Sequence, residues 1–124
     1  MITKLRPGEI FVFGSNRAGI HGGGAARLAR EKFSAQHGVG EGLTGQCYAF
    51  PTLNENFEKV SRAALEASRD SFFETARRHP ELTFLLTKVG CGIAGFAEDE
   101  IRPLFRDAPA NVILPEDWRT RDEV

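Results

Sequence analysis

Asn16, His21 and three consecutive glycines, Gly22, Gly23 and Gly24, stand close together between an apolar run and a helical pattern. Glycine costs folding free energy where it is not needed, so a triplet at a fixed joint points to close approach by something to the backbone. Without Cβ atoms, successive N–H groups can curl around an anion. A helix opening at the same place adds free amides and the positive end of its dipole. A second glycine-laden stretch, Gly90-Cys91-Gly92-Ile93-Ala94-Gly95-Phe96, follows another apolar run. Either loop alone reads equally as a tight strand-to-helix turn. Two of them at one sheet edge could grip both ends of a diphosphate, and together they favour an anionic ligand held by Gly14, Ser15, Asn16, Gly22 to Gly24 and Gly90 to Phe96. The spacing is not Gly-x-Gly-x-x-Gly, and no Gly-Lys-Ser/Thr follows, which sets aside a phosphate-loop NTPase.

The side chains near these loops each carry a chemical and a bland reading. Asn16 could contact a hydroxyl or orient a water, or it could simply cap a turn. His21 could act as general acid or base. A helix N-terminus favours its neutral form, which could donate to an oxygen of the ligand, and a loop histidine can also be plain surface. Cys91 lacks an adjacent base beyond Lys88, so packing outweighs nucleophilic chemistry. Arg17 could reach a phosphate or stay solvated. Gln46, Tyr48 and Thr52 flank the second apolar strand and could line a pocket, and Tyr48 could equally pack. Glu98, Asp99 and Glu100 are explained by a helix start. No carboxylate pair, metal cluster or Ser-His-Asp set emerges, so a binding site is more legible than a reaction, and no metal or cofactor is expected.

The elements that must position these groups follow from periodicity. Ile10 to Phe13 is a short apolar run bounded by Pro7-Gly8 and Gly14-Ser15-Asn16, the pattern of a strand buried on both faces. From Gly24 to Gln36, Ala25, Leu28, Ala29 and Phe33 recur at helical spacing, with Gly38 as a stop. A glycine-rich connector, HGVGEGLTGQ, leads to a strand at Cys47–Thr52 ended by Pro51. A long helix is predicted from an N-cap at Asn56 to His79-Pro80, with Phe57, Val60, Ala64, Leu65, Ser68, Phe72 and Ala76 on one face. Thr83–Thr87 reads as a strand, Glu98 onward as a short helix restarted at Pro103, and Asn111–Pro115 as the last strand. Strands alternating with helices give an α/β class with a parallel sheet covered on both faces.

The whole chain of 124 residues fits one domain over residues 1–119 with a polar tail at 120–124. Its net charge of −1, with Lys and Arg dispersed, gives no electrostatic footprint for direct nucleic-acid binding. No apolar stretch is long enough to span a membrane and no apolar signal core follows Met1, so the expected location is the cytoplasm, with Cys47 and Cys91 as free thiols.

The segment GSNRAGIHGGGAA resembles the first ligand loop of macro domains, with Asn16 at the end of the first core strand, five intervening residues, and the triplet Gly22 to Gly24 opening a helix. TKVGCGIAGF is similar to that family's second loop. The resemblance covers roughly Glu9 to Leu114. It implies a three-layer α/β/α sandwich with a mostly parallel central sheet, binding ADP-ribose or a related nucleotide diphosphate ribose. The second loop and the first helix's N-terminus would hold the diphosphate, with Asn16 facing the distal ribose and Phe96 packed against it. An implied activity is hydrolysis of an ADP-ribosyl ester or phosphate bond at that ribose, by a water placed by Asn16 and assisted by His21. The alternatives are a non-catalytic reader of ADP-ribose or of an ADP-ribosylated macromolecule, and an interaction protein that keeps the fold without a ligand. The chain departs from the family in having FGSN where the family has Asn-Ala-Ala-Asn. It also has no counterpart of the Asp that receives the adenine amino group.

Overall fold

In the computed structural model, which describes residues 2–119, strand β1 (Glu9–Asn16) forms the middle of a five-stranded sheet. The tail expected at 120–124 lies outside the described residues. Helix α1 (Gly24–Lys32) follows β1, then β2 (Gly42–Thr44), β3 (Cys47–Leu53), α2 (Arg62–Arg78), β4 (Thr83–Leu86), α3 (Glu98–Ile101), a 3-10 turn (Arg102–Phe105), β5 (Val112–Ile113) and a second 3-10 turn (Glu116–Trp118). The strand order is β2-β3-β1-β4-β5. β1 runs parallel to both β3 and β4, β4 is parallel to β5, and only β2 is antiparallel to its neighbour. The class is therefore α/β with a mostly parallel sheet.

Side-chain alternation along β1 divides the core. Ile10 and Val12 join Tyr48, Phe50, Leu65, Phe72, Phe84, Ile101 and Phe105 beneath α2 and the C-terminal turns. Phe11 and Phe13 point the other way, into a smaller cluster with Ala26, Ala29, Phe33, Cys47 and Ala49 beneath α1. Aromatic rings dominate the first cluster. Phe72 alone lies within 6.3 Å, centroid to centroid, of Tyr48, Phe50, Phe73, Phe84 and Phe105. Tyr48 is thus a core residue, its hydroxyl pushed up to about 12 by burial. Truncating Phe72 to alanine would remove about 3–5 kcal/mol by the usual cost of an emptied aromatic site.

Four elements differ most from the sequence expectation. α1 ends at Lys32 rather than Gln36, because Phe33 turns inward to meet the Phe11 ring at 5.1 Å and Ser34 takes a left-handed φ of 66°. The connector contains β2, which pairs back on β3 through Gly45 at φ 58°. α2 starts at Arg62, where the Ser61 hydroxyl accepts from the Ala64 N–H at 3.1 Å, and not after Asn56. Residues 54–58 instead form a tight turn. Its backbone is claimed by Asn54, whose side-chain Oδ1 accepts from Asn56 and Glu58 N–H groups at 2.8 and 3.0 Å. The last strand is shorter than the Asn111–Pro115 run, and Pro103 sits in the first turn of the 3-10 segment that continues α3.

Candidate functional site

Parallel α/β sheets present ligands at the carboxyl ends of their strands, and here that edge holds a cleft of about 600 Å³. The end of β1 supplies Gly14, Ser15 and Asn16, the end of β3 supplies Thr52 and Leu53, and the segment after β4 supplies Thr87, Lys88 and Val89. The two glycine loops close it from opposite sides, through Gly22, Gly23, Gly24, Ala25 and Ala26 on one and Gly90, Gly92, Ile93 and Ala94 on the other. The loops touch. A Cβ placed on Gly23 would lie 3.2 Å from Ile93 Cδ1, so the triplet leaves room for the tip of the second loop. At the cleft floor a Cβ on Gly14 would lie 3.0 Å from the Gly90 amide nitrogen.

The amides are where the chemistry lies. α1 carries no side-chain cap and no acidic residue in its first turn, and its first internal bond runs from Arg27 N–H to Gly23 O at 3.2 Å. The N–H groups of Gly24, Ala25 and Ala26 therefore have no acceptor among the described residues. In the second loop the N–H groups of Cys91, Gly95 and Phe96 bond to Lys88, Gly92 and Gly90 carbonyls. Those of Gly92, Ile93 and Ala94, all lining the cleft, have no acceptor among the described residues. Lys59 adds positive charge, Lys88 has its ammonium engaged elsewhere, and no carboxylate lines the cleft. Lys88 Nζ is held 2.6 Å from Asp117 and 3.2 Å from Glu98. These bonds raise the lysine's pKa and lower that of Asp117, while Glu98 is lowered first by the Trp118 indole N–H that it accepts at 2.8 Å and then by Lys88.

Several expected site residues stand elsewhere. Asn16 lines the cleft, but its amide is bonded at both ends to Ile20: Nδ2 donates to the carbonyl at 2.8 Å and Oδ1 accepts from the N–H at 3.1 Å. His21 is fully buried, edge-on to Phe13 at 5.1 Å with its Nε2 3.1 Å from Gln36 O, and does not line the cleft. Burial lowers its pKa, with His37 and Arg30 adding to the effect and the Gln36 and Val39 carbonyls opposing it. Cys91 packs against the α2-side core, and burial, then Glu98, raises its thiol pKa, which disfavours the thiolate that nucleophilic chemistry requires. Gly95 and Phe96 also lie outside the cleft. Phe96 is a core residue with Lys59 Nζ 5.0 Å from its ring centre. Arg17 pairs with Glu41 at 3.7 Å, and Gln46 donates to the carbonyls of Arg6, ahead of β1, and Glu9, its first residue. Thr52 does line the cleft.

The sequence reading missed Ile20, Ala25, Ala26, Leu53, Phe57, Lys59, Thr87, Lys88 and Val89 as cleft residues. Thr87, Lys88 and Val89 carried a usable signal, since they join a strand end to the second loop. Phe57 carried a misleading one, a helical apolar spacing that the Asn54 turn overrides. Beyond β4 the cleft adjoins a groove of about 850 Å³ that shares Gly24, Ala25, Thr87 and Lys88 with it and runs along Leu28, Leu85 and Ile113. Among the described residues no cluster of His, Cys, Asp and Glu is arranged to hold a metal ion, and no helix is long and apolar enough to cross a membrane. No family model matches this chain, and no curated protein or solved structure matches it.

Proposed function

We propose that this chain binds ADP-ribose, or a related nucleotide diphosphate ribose, in the cleft between the two glycine loops. The observation that carries this reading is two amide sets, Gly24 to Ala26 and Gly92 to Ala94, without acceptors among the described residues and lining one carboxylate-free cleft. Amides without acceptors and a helix N-terminus are a ready anion site, and two such sets in one cleft suit a diphosphate better than a single phosphate. The volume is in the range of small-molecule sites. The resemblance to macro domains supplies the rest: a distal ribose beside Asn16, and a three-layer sandwich of their type. The neighbouring groove gives the ligand's other end an apolar bed.

Binding without turnover is the form of this function that the side chains favour. Hydrolysis at the distal ribose would call on Asn16 and His21, yet the first is tied to Ile20 and the second is sealed in the core. For His21 to act, its ring would have to leave the Phe13 edge and the Gln36 carbonyl.

Calorimetric titration with ADP-ribose, AMP and ribose 5-phosphate tests the reading. The expected result is saturable binding of ADP-ribose, lost in Gly23→Glu and in Gly92→Glu, since each variant puts a carboxylate among the anion-holding amides. Absence of ADP-ribose binding above millimolar affinity would overturn it. Release of product from an ADP-ribosylated protein by the wild type, but not by Asn16→Ala, would replace the reader with the hydrolase.

A further inference from the structure

Phe57 is half exposed, at 51%, on the lip of the cleft, and its backbone stands at a φ of 62°. That region is disfavoured for bulky residues and is the usual place of glycine or asparagine. The conformation is imposed by the turn around it. Phe57 N–H donates to Asn54 O at 3.0 Å, Asn54 N–H donates to Glu58 O at 2.8 Å, and the Asn54 side chain takes the N–H groups on either side of Phe57. An antiparallel bridge between Leu53 and Lys59 closes the base. Strain of this kind is commonly offset by burial of the side chain, but the Phe57 ring belongs to neither core cluster. A glycine would satisfy the turn at lower cost, so folding alone does not explain the phenylalanine.

Its neighbours explain it better. Five large apolar residues are exposed among those described, and three of them, Ile20 at 43%, Phe57 at 51% and Ile93 at 78%, stand around this one cleft. An apolar lip above an amide-lined floor fits a ligand that is anionic at one point and planar and apolar at another. The binding reading puts a ribose beside Asn16, and the sheet places Phe57 relative to it. β3 lies beside β1, Asn16 is in register with Leu53, and the Arg17 N–H donates to Leu53 O at 2.9 Å, so the Phe57 turn rises next to Asn16. The groove along Leu85 and Ile113 lies on the opposite, β4–β5 side. A group joined to a ribose at Asn16 would therefore extend towards Phe57.

We propose that Phe57 is a stacking platform for a planar heteroaromatic ring joined to the ribose beside Asn16, so that the cleft prefers a ring-capped nucleotide diphosphate ribose to the free one. This inference rests on the binding reading above and names the ligand class more narrowly. Stacking of a ring on an exposed aromatic face is sequence-tolerant and worth enough to shift affinity about tenfold. Three variants test it. Phe57→Gly removes the ring and relaxes the backbone, Phe57→Trp restores a platform, and Phe57→Leu keeps apolar bulk without a π face.

The probes are NAD+, in which a nicotinamide ring caps that ribose, and ADP-ribose, in which it does not. The expected result is a wild-type ratio of affinities of roughly tenfold in favour of NAD+. That ratio should collapse to about one in Phe57→Gly and Phe57→Leu and return in Phe57→Trp. Urea unfolding of Phe57→Gly should show a midpoint no lower than wild type, which separates loss of the platform from loss of the fold. ADP-ribose binding with no preference for NAD+, or a preference that survives Phe57→Gly, would overturn this inference and leave the binding reading standing. Failure of both probes to bind the wild type would sink the two together.

Discussion

The Asn16 side chain closes a ring with the backbone of Ile20, donating to its carbonyl at 2.8 Å and accepting from its N–H at 3.1 Å. The Gly19 N–H returns to the Asn16 carbonyl at 3.0 Å, and Gly19 O in turn accepts from Gly38 at 2.8 Å. One asparagine thus fixes the whole approach to the glycine triplet, at the point where β1 stops pairing in regular register.

Asn16→Ala should lower stability by about 1–3 kcal/mol, the cost of leaving a partly buried N–H and C=O without partners. Asn16→Asp should be as harmful despite its similar shape. It keeps the acceptor for Ile20 N–H but sets a carboxylate oxygen against the Ile20 carbonyl. Urea unfolding midpoints of the two variants check this, and a fully stable Asn16→Asp would show that the ring is not needed.

The second loop predicts a contrast between neighbouring glycines. Gly90 sits at a φ of 79°, and a Cβ there would meet Phe96 Cδ2 at 3.0 Å and Thr52 Cγ2 at 3.1 Å. A Cβ on Gly92 would meet nothing within 4 Å. Gly90→Ala should cost about 2 kcal/mol or more, from the left-handed backbone and the crowding together. Gly92→Ala should fall within about 0.5 kcal/mol of wild type. Thermal or denaturant unfolding reads the difference directly, and equal losses would mean that the loop does not hold Gly90 against Phe96 as described.

His21 gives the protein an acid-sensitive term. Its ring is buried, its Nδ1 has no partner among the described residues, and its pKa lies below the ordinary 6.5. Well above pH 6.5 the residue is neutral in both folded and unfolded chains and contributes no slope. As pH falls below 6.5 the unfolded chain takes up a proton that the folded one resists, so stability falls, by at most about 1.4 kcal/mol per pH unit for this one group. Unfolding free energies measured between pH 7.5 and 5.5 should therefore fall more steeply in wild type than in His21→Phe, which keeps an aromatic ring against Phe13. Identical slopes would count against a buried neutral His21.

The sequence by itself determined the elements and the two loops. Ile10 to Phe13, Thr83 to Leu86 and the glycine runs are local signals, because a buried strand needs consecutive apolar residues and a tight amide-exposing loop needs missing Cβ atoms. These carry the α/β class and most of the cleft's lining. What depends on which partner a group finds, near or far along the chain, emerged only on folding. β2 became a strand because β3 offered it an edge. Phe57 left the helix that its spacing suggested, because Asn54 captured the backbone around it. His21 turned from the cleft to the Phe13 ring and the Gln36 carbonyl, and the Asn16 amide closed on Ile20, because burial and hydrogen-bond satisfaction outweigh proximity along the chain. A residue's place beside a glycine triplet is set by the chain, but the direction of its side chain is set by whatever packs around it.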